Sequence, residues 1–163
     1  MRKIILFLLI SLTVYAAFFT EKDRLDREVE RLCAIDGGIK VYETVNLQAD
    51  KFDKHGQINF YRPTQGENTL GPEYIYKWVI HYYKKGDPVS QGAQEASMRR
   101  DHIQIIRISD MKLLGEFVKY HRAGGDFPGP WMPSSYHCPN RSEANESILL
   151  NKIFTKATEG TEK

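Results

Sequence analysis

Cys33 and Cys138 are the chain's only cysteines, and they stand at the two ends of the stretch richest in strand signals. In an oxidising compartment such a pair most simply forms a disulfide. Closing a loop of roughly 100 residues restricts the unfolded chain by up to about 4 to 5 kcal/mol. Lipid attachment at Cys33 fails on position, because a charged segment separates it from the apolar run at the N-terminus. The five histidines, His55, His81, His102, His121 and His137, form neither HExxH nor a close Cys/His spacing, so neither a metal nor a cofactor is expected. His81, His102 and His121 fall on separate predicted strands and would converge only if the pairing allowed it.

Carboxylates at Asp36, Glu43, Glu73, Glu116 and Asp126 offer acid/base chemistry only if two of them come within about 5 to 9.5 Å. The spacing along the chain does not establish such a pair. There is no Gly-x-Ser-x-Gly elbow, phosphate loop or dinucleotide fingerprint. Asp36 and Asp126 each adjoin a Gly-Gly pair, where an aspartate ordinarily bonds its own turn. The chemistry-bearing residues therefore favour a non-catalytic domain and leave the question of an enzyme open. The alternative is a small hydrolase acting on envelope polymers, with His121, Asp126 or Glu116 as acid and base.

The elements that must position these residues begin with Met1-Arg2-Lys3, followed by an uncharged run from Ile4 to Phe19 and then Thr20-Glu21-Lys22-Asp23. A basic start, an apolar run and a charged stop read as a signal peptide or a membrane anchor over residues 1–20. The run falls slightly under the ~17 residues of a short span. Either way Arg2 and Lys3 stay inside, and the remainder is exported. Formal charge is +2; leaving out Arg2 and Lys3 gives 21 cations against 21 carboxylates. A neutral domain has no electrostatic footprint for nucleic acid. The partners expected are the lipid bilayer through residues 4–19 and an envelope protein or glycan.

Residues 21–36 read as a charged linker helix with a narrow stripe of Leu25, Val29 and Leu32, ended by Gly37-Gly38. Residues 37–139 read as the folded domain, with strands over 39–45, 57–61, 73–84, 102–109 and 112–122. The last two form a hairpin turning at Ser109-Asp110-Met111-Lys112, where Met111 occupies a place that suits glycine. Glu43 interrupts the apolar face of the first strand and is expected at an exposed edge. The 73–84 segment sets Tyr74, Tyr76, Trp78, Ile80 and Tyr82 on one face, which reads as a core-facing aromatic stripe. The prolines of 124–133 impose an irregular loop, held down by Phe127 and Trp131. Residues 140–163 read as a short helix within 142–154 and a disordered tail. The fold class expected is α+β, with a mainly antiparallel meandering sheet. If the domain binds something, the expected surface is Tyr76, Trp78, Arg122, Phe127 and Trp131.

The string Leu32-Cys33-Ala34-Ile35-Asp36-Gly37-Gly38-Ile39-Lys40-Val41-Tyr42-Glu43, then Leu70-Gly71-Pro72-Glu73-Tyr74, Gly124-Gly125-Asp126, Pro128-Gly129-Pro130-Trp131 and Cys138-Pro139 resembles a group of small uncharacterised bacterial proteins with a hydrophobic leader. The resemblance covers most of residues 37–139 and carries no activity. It implies a bacterial envelope address: the inner membrane with a periplasmic domain, or the periplasm or exterior if the leader is cleaved.

Overall fold

A computed structural model describes residues 2–126, 129–130 and 132–157, without the side chains of 16–20. The class is α+β. No Gly or Pro interrupts the N-terminal segment, and it forms one helix, α1 (Arg2–Asp36), of 35 residues. At 1.5 Å per residue that is roughly 50 Å long. It stops where the sequence supplies Gly37-Gly38, and Gly38 takes φ 108°, a value that strains any residue with a Cβ.

The strands are β1 (Gly38–Val41), β2 (Val45–Leu47), β3 (Tyr74–Lys84), β4 (Ala96–Arg107), β5 (Lys112–Gly124), β6 (Ser135–Cys138) and β7 (Phe154–Lys156), with a short helix α2 (Glu146–Ile153) before the last. The main sheet runs β1-β5-β4-β3, with β6 also on β5. Strand β1 pairs antiparallel with β5 from Gly38 opposite Val118 to Val41 opposite Gly115. Strand β6 pairs antiparallel with the later part of β5, from Tyr120 opposite Cys138 to Ala123 opposite Ser135. The residues gather into two compact units: Met1–Asp36 with Ile80–Arg100 and Lys119–Cys138, and Gly37–Val79 with Asp101–Val118 and Pro139–Lys163.

In the first unit, Leu25, Val29 and Cys33 come round at helical spacing and are buried, as are Ala93, Ala96, Met98 and Tyr120. Cys33 is disulfide-bonded to Cys138, with Cα atoms 5.9 Å apart and 105 residues between them in sequence. Among the described residues, no helix is long and apolar enough to cross a membrane.

In the second unit, Leu149, Leu150 and Ile153 of α2 pack with Ile103, Ile105, Leu114, Phe117, Tyr74, Tyr76 and Phe154. Asn145 starts α2 by accepting the Ile148 N–H at 2.9 Å, which satisfies one of the helix's unpaired donors. The β4–β5 turn places Met111 at φ 56°, the left-handed conformation its position demanded, and Asp110 closes that turn against Arg107.

Several elements differ from the sequence reading. The strand expected over 39–45 ends at Val41 and 45–47 forms β2 in a second sheet, β4 begins at Ala96 rather than 102, and β6 was not anticipated. The strand expected over 57–61 contributes only an isolated bridge between Phe52 and Ile58. Asp53 explains this locally: its carboxylate accepts the N–H groups of His55 and Gln57, which folds the segment into a turn. The tail expected from Thr155 onward begins instead with β7, which pairs in parallel with β2 from Val45 opposite Phe154 to Leu47 opposite Lys156. Residues 158–163 of that expected tail lie outside the described residues.

Candidate functional site

Strand β3 ends the sheet order and is therefore an edge strand. Its aromatic stripe divides in two. Tyr74 and Tyr76 are buried. Tyr74 meets Phe154 edge to face with ring centres 4.9 Å apart, and Tyr61 lies 6.3 Å from Tyr76. The Tyr61 hydroxyl donates to Glu146 at 2.7 Å. Burial, reinforced by the charge of Glu146, pushes the Tyr76 hydroxyl well above the ordinary phenolic range. Beyond Tyr76 the cover ends: every residue from Lys77 to Tyr83 is exposed, with Trp78 at 51%, Ile80 at 40% and Tyr82 at 41%.

Of the residues expected to make a binding surface, Trp78 is thus accessible and Tyr76 faces the core. Phe127 and Trp131 lie outside the described residues. Arg122 is 2% exposed and committed to its own unit. Its guanidinium donates to both carboxylate oxygens of Asp26, at 2.7 and 3.0 Å, and to the Gly124 carbonyl at 2.8 Å. It also reaches the Ser134 carbonyl at 3.1 Å and hydroxyl at 2.7 Å. Ser134 passes the network on, donating its N–H and O–H to Asp126, which is paired with Lys22 at 2.7 Å. Burial alone would raise the Asp126 carboxyl, but Lys22 and the Ser134 hydrogen bonds outweigh it and hold it below the usual carboxylate range. Helix α1, β5 and the segment before β6 are joined by this brace. It turns Asp126, a candidate acid/base residue, into a fixed counter-charge.

Asp36 accepts from Arg100 at 2.7 Å and from the Tyr120 hydroxyl at 2.6 Å. Glu43 pairs with Arg107 at 2.6 Å and with Lys112.

In the second unit the fold brings together His102, Glu116 and Tyr42, an acid/base grouping. His102 Nε2 lies 2.7 Å from Glu116 Oε2, and the Tyr42 hydroxyl donates to Oε1 at 2.5 Å. Burial works against the Glu116 charge, yet the bonds from Tyr42 and His102, with the charges of His102 and Lys40, lower its pKa overall. A carboxylate in this position fixes an imidazole's orientation, the arrangement by which a histidine becomes a general base. His121 stacks instead on its cross-strand neighbour His137, ring centres 4.5 Å apart, and His81 meets Tyr83 edge to face. Among the described residues no group of three or more His, Cys, Asp or Glu could hold a metal ion.

Among the described residues, a cleft of about 470 Å³ lies in the second unit beside Phe52, Asp53, Lys54 and Phe154. Clefts of about 300 and 150 Å³ flank Glu73 and Tyr74. None of the three is lined by His102, Glu116 or Trp78.

The His102–Glu116 pair was not legible from the expected turn at Ser109 to Lys112, whose symmetry sets Glu116 opposite Ile105. Nor was the Asp26–Arg122 pair: 96 residues separate its members, and no local pattern links them. The chain matches no protein-family model, no curated protein and no solved structure.

Proposed function

We propose that this chain is a membrane-tethered, exported domain of a bacterial envelope, acting without catalysis as a binding or structural accessory. The observation that carries this reading is the first half of α1. Ile4 to Ile10, Leu12, Val14 and Tyr15 are between 42 and 71% exposed, all round the helix. A helix apolar on every side needs a non-aqueous surrounding. Ser11 donates back to the Phe7 carbonyl and Thr13 to the Leu9 and Ile10 carbonyls, so neither of these two hydroxyls needs water. The apolar segment continues in sequence to Phe19, and Arg2 and Lys3 precede it. The disulfide supports the export half of the reading, because such bonds persist in oxidising compartments. If the leader is cleaved, the domain is periplasmic or secreted.

The test is alkaline extraction of membranes from cells producing the full chain. The tether leaves the protein in the membrane pellet, and Leu6→Asp with Leu9→Asp releases it to the supernatant. Release of the unaltered chain, with its N-terminus shown intact by mass spectrometry, rejects the tether.

A second reading, a small hydrolase of envelope polymers, is favoured by the His102–Glu116–Tyr42 grouping alone. Hydrolysis of cell-wall polymer that His102→Gln abolishes would establish it. The accessory reading is preferred because the exposed apolar length of α1 supports it directly, whereas the second reading has this grouping alone.

A further inference from the structure

Seven consecutive exposed residues on an edge strand, Lys77-Trp78-Val79-Ile80-His81-Tyr82-Tyr83, are unusual. A sheet edge presents a row of backbone N–H and C=O groups ready to pair with another strand. Edges that must stay single are interrupted by proline, bulges or several charges. Within this run the only charged side chain is Lys77, and the nearest prolines, Pro72 and Pro88, lie outside β3. Among the described residues no strand pairs with the outer side of β3.

We infer that β3 is a strand-addition site whose occupant is the β3 strand of a second copy of this chain, paired antiparallel about a twofold axis at Val79. The argument for a second copy is charge and side-chain complementarity. A twofold axis normal to a sheet pairs residues of like parity, so only a few registers are open. The Val79 register sets Glu73 opposite Lys85, Tyr76 opposite Tyr82, Ile75 opposite Tyr83 and Trp78 opposite Ile80. Shifting the axis to Ile80 sets Glu73 against Asp87, and shifting it to Lys77 or His81 sets lysine against lysine. Shifting it to Trp78 leaves Glu73 opposite Tyr83 and pairs no opposite charges. The Val79 register joins opposite charges without opposing like ones and pairs β3 along its whole length, Tyr74 to Lys84; an axis at Tyr82 would set Lys77 against Asp87 but would leave most of β3 unpaired. It also gives two aromatic pairs across strands, a favoured contact in antiparallel sheets. This inference does not depend on the membrane tether.

The experiment is oxidative cross-linking of the full chain in mild detergent, with one cysteine added per variant; the native pair is already bonded. Cα atoms paired across antiparallel strands lie about 4.5 to 5.5 Å apart, within the range a disulfide spans. Val79→Cys, at an exposed and tolerant position, is expected to form covalent dimers at least ten times faster than Val89→Cys, which is exposed but off the axis. Adding Ile80→Lys to Val79→Cys is expected to reduce that rate to the Val89→Cys level, while sedimentation of unlinked chains shifts from dimer to monomer. Equal rates for the two single variants, or a monomer at every concentration, overturn the proposal. A dimer that cross-links at Val89 and not at Val79 also overturns it.

Discussion

Arg122 offers the sharpest test of how the first unit is held together. Arg122→Met keeps an unbranched apolar stem of similar reach and removes the guanidinium. With the side chain 2% exposed, that change strips donors from the Gly124 carbonyl and from both oxygens of Ser134, and leaves the Asp26 carboxylate without its cation. Breaking a buried pair from one side costs roughly 3 to 5 kcal/mol. Asp26 is still 26% exposed and regains some water, which moves the expectation to the lower end, about 3 kcal/mol. The assay is urea unfolding followed by far-ultraviolet circular dichroism, read at unchanged slope so that the shift reports stability alone. Pairing Arg122→Met with Asp26→Leu removes the orphaned charge as well, and should recover part of the loss. A loss below about 1 kcal/mol for the single change would refute the reasoning. Arg122 would then behave like a surface residue, as a ligand-binding arginine should, and not as the centre of a brace.

The remaining predictions follow from the same geometry. Replacing Cys33 and Cys138 together by alanine frees a loop spanning 105 residues, and should cost about 2 to 4.7 kcal/mol against the oxidised protein in the same urea assay. A loss under 1 kcal/mol would show that the bond constrains little. Asp126 has its carboxyl pKa lowered in the fold, so its contribution is full above the unfolded carboxylate range and disappears as pH falls through the folded value. Asp126→Asn should therefore flatten stability against pH on the acid side of about 4; an unchanged profile contradicts the Lys22 and Ser134 bonds. Gly124→Ala should destabilise the protein by 3 kcal/mol or more in thermal unfolding, because φ is +74° and a Cβ would collide with the Glu95 carbonyl and stand 2.6 Å from Pro88 Cβ. A melting temperature within a degree of the parent would refute that packing.

What the sequence made legible was mostly local or strongly patterned. The uninterrupted helix, its stop at Gly37-Gly38, the β4–β5 hairpin and the odd demand on Met111 all follow from residue type and spacing over a few positions. The cysteine pairing followed from having two thiols and one economical use for them. The aromatic stripe of β3 was legible as a strand but not as a strand whose cover ends at Tyr76. Alternation says which side chains share a face, while only the sheet order says that no neighbour lies beyond. The strand expected at 57–61 was lost to Asp53, whose carboxylate bonds two backbone N–H groups and makes a turn cheaper than a ladder. The pairs Asp26–Arg122 and Asp36–Arg100 were illegible, because partners 96 and 64 residues apart are chosen by tertiary packing. That same packing moved Arg122 and Asp126 from candidate surface chemistry into the scaffold. The His102–Glu116 grouping lay between these cases: the hairpin was legible, but the register that sets these two side chains together was not.

The proposed function requires that a hydrophobic helix hold an oxidised domain on the outer side of a membrane. The most direct measurement is a thiol count on the full chain recovered from alkaline-washed membranes of growing cells, using a mass-tagged alkylating reagent before and after reduction. The account predicts no tag before reductant and two after it, on protein that stayed with the membrane. Two tags without reductant, or a chain found wholly in the wash with its leader intact, would contradict it.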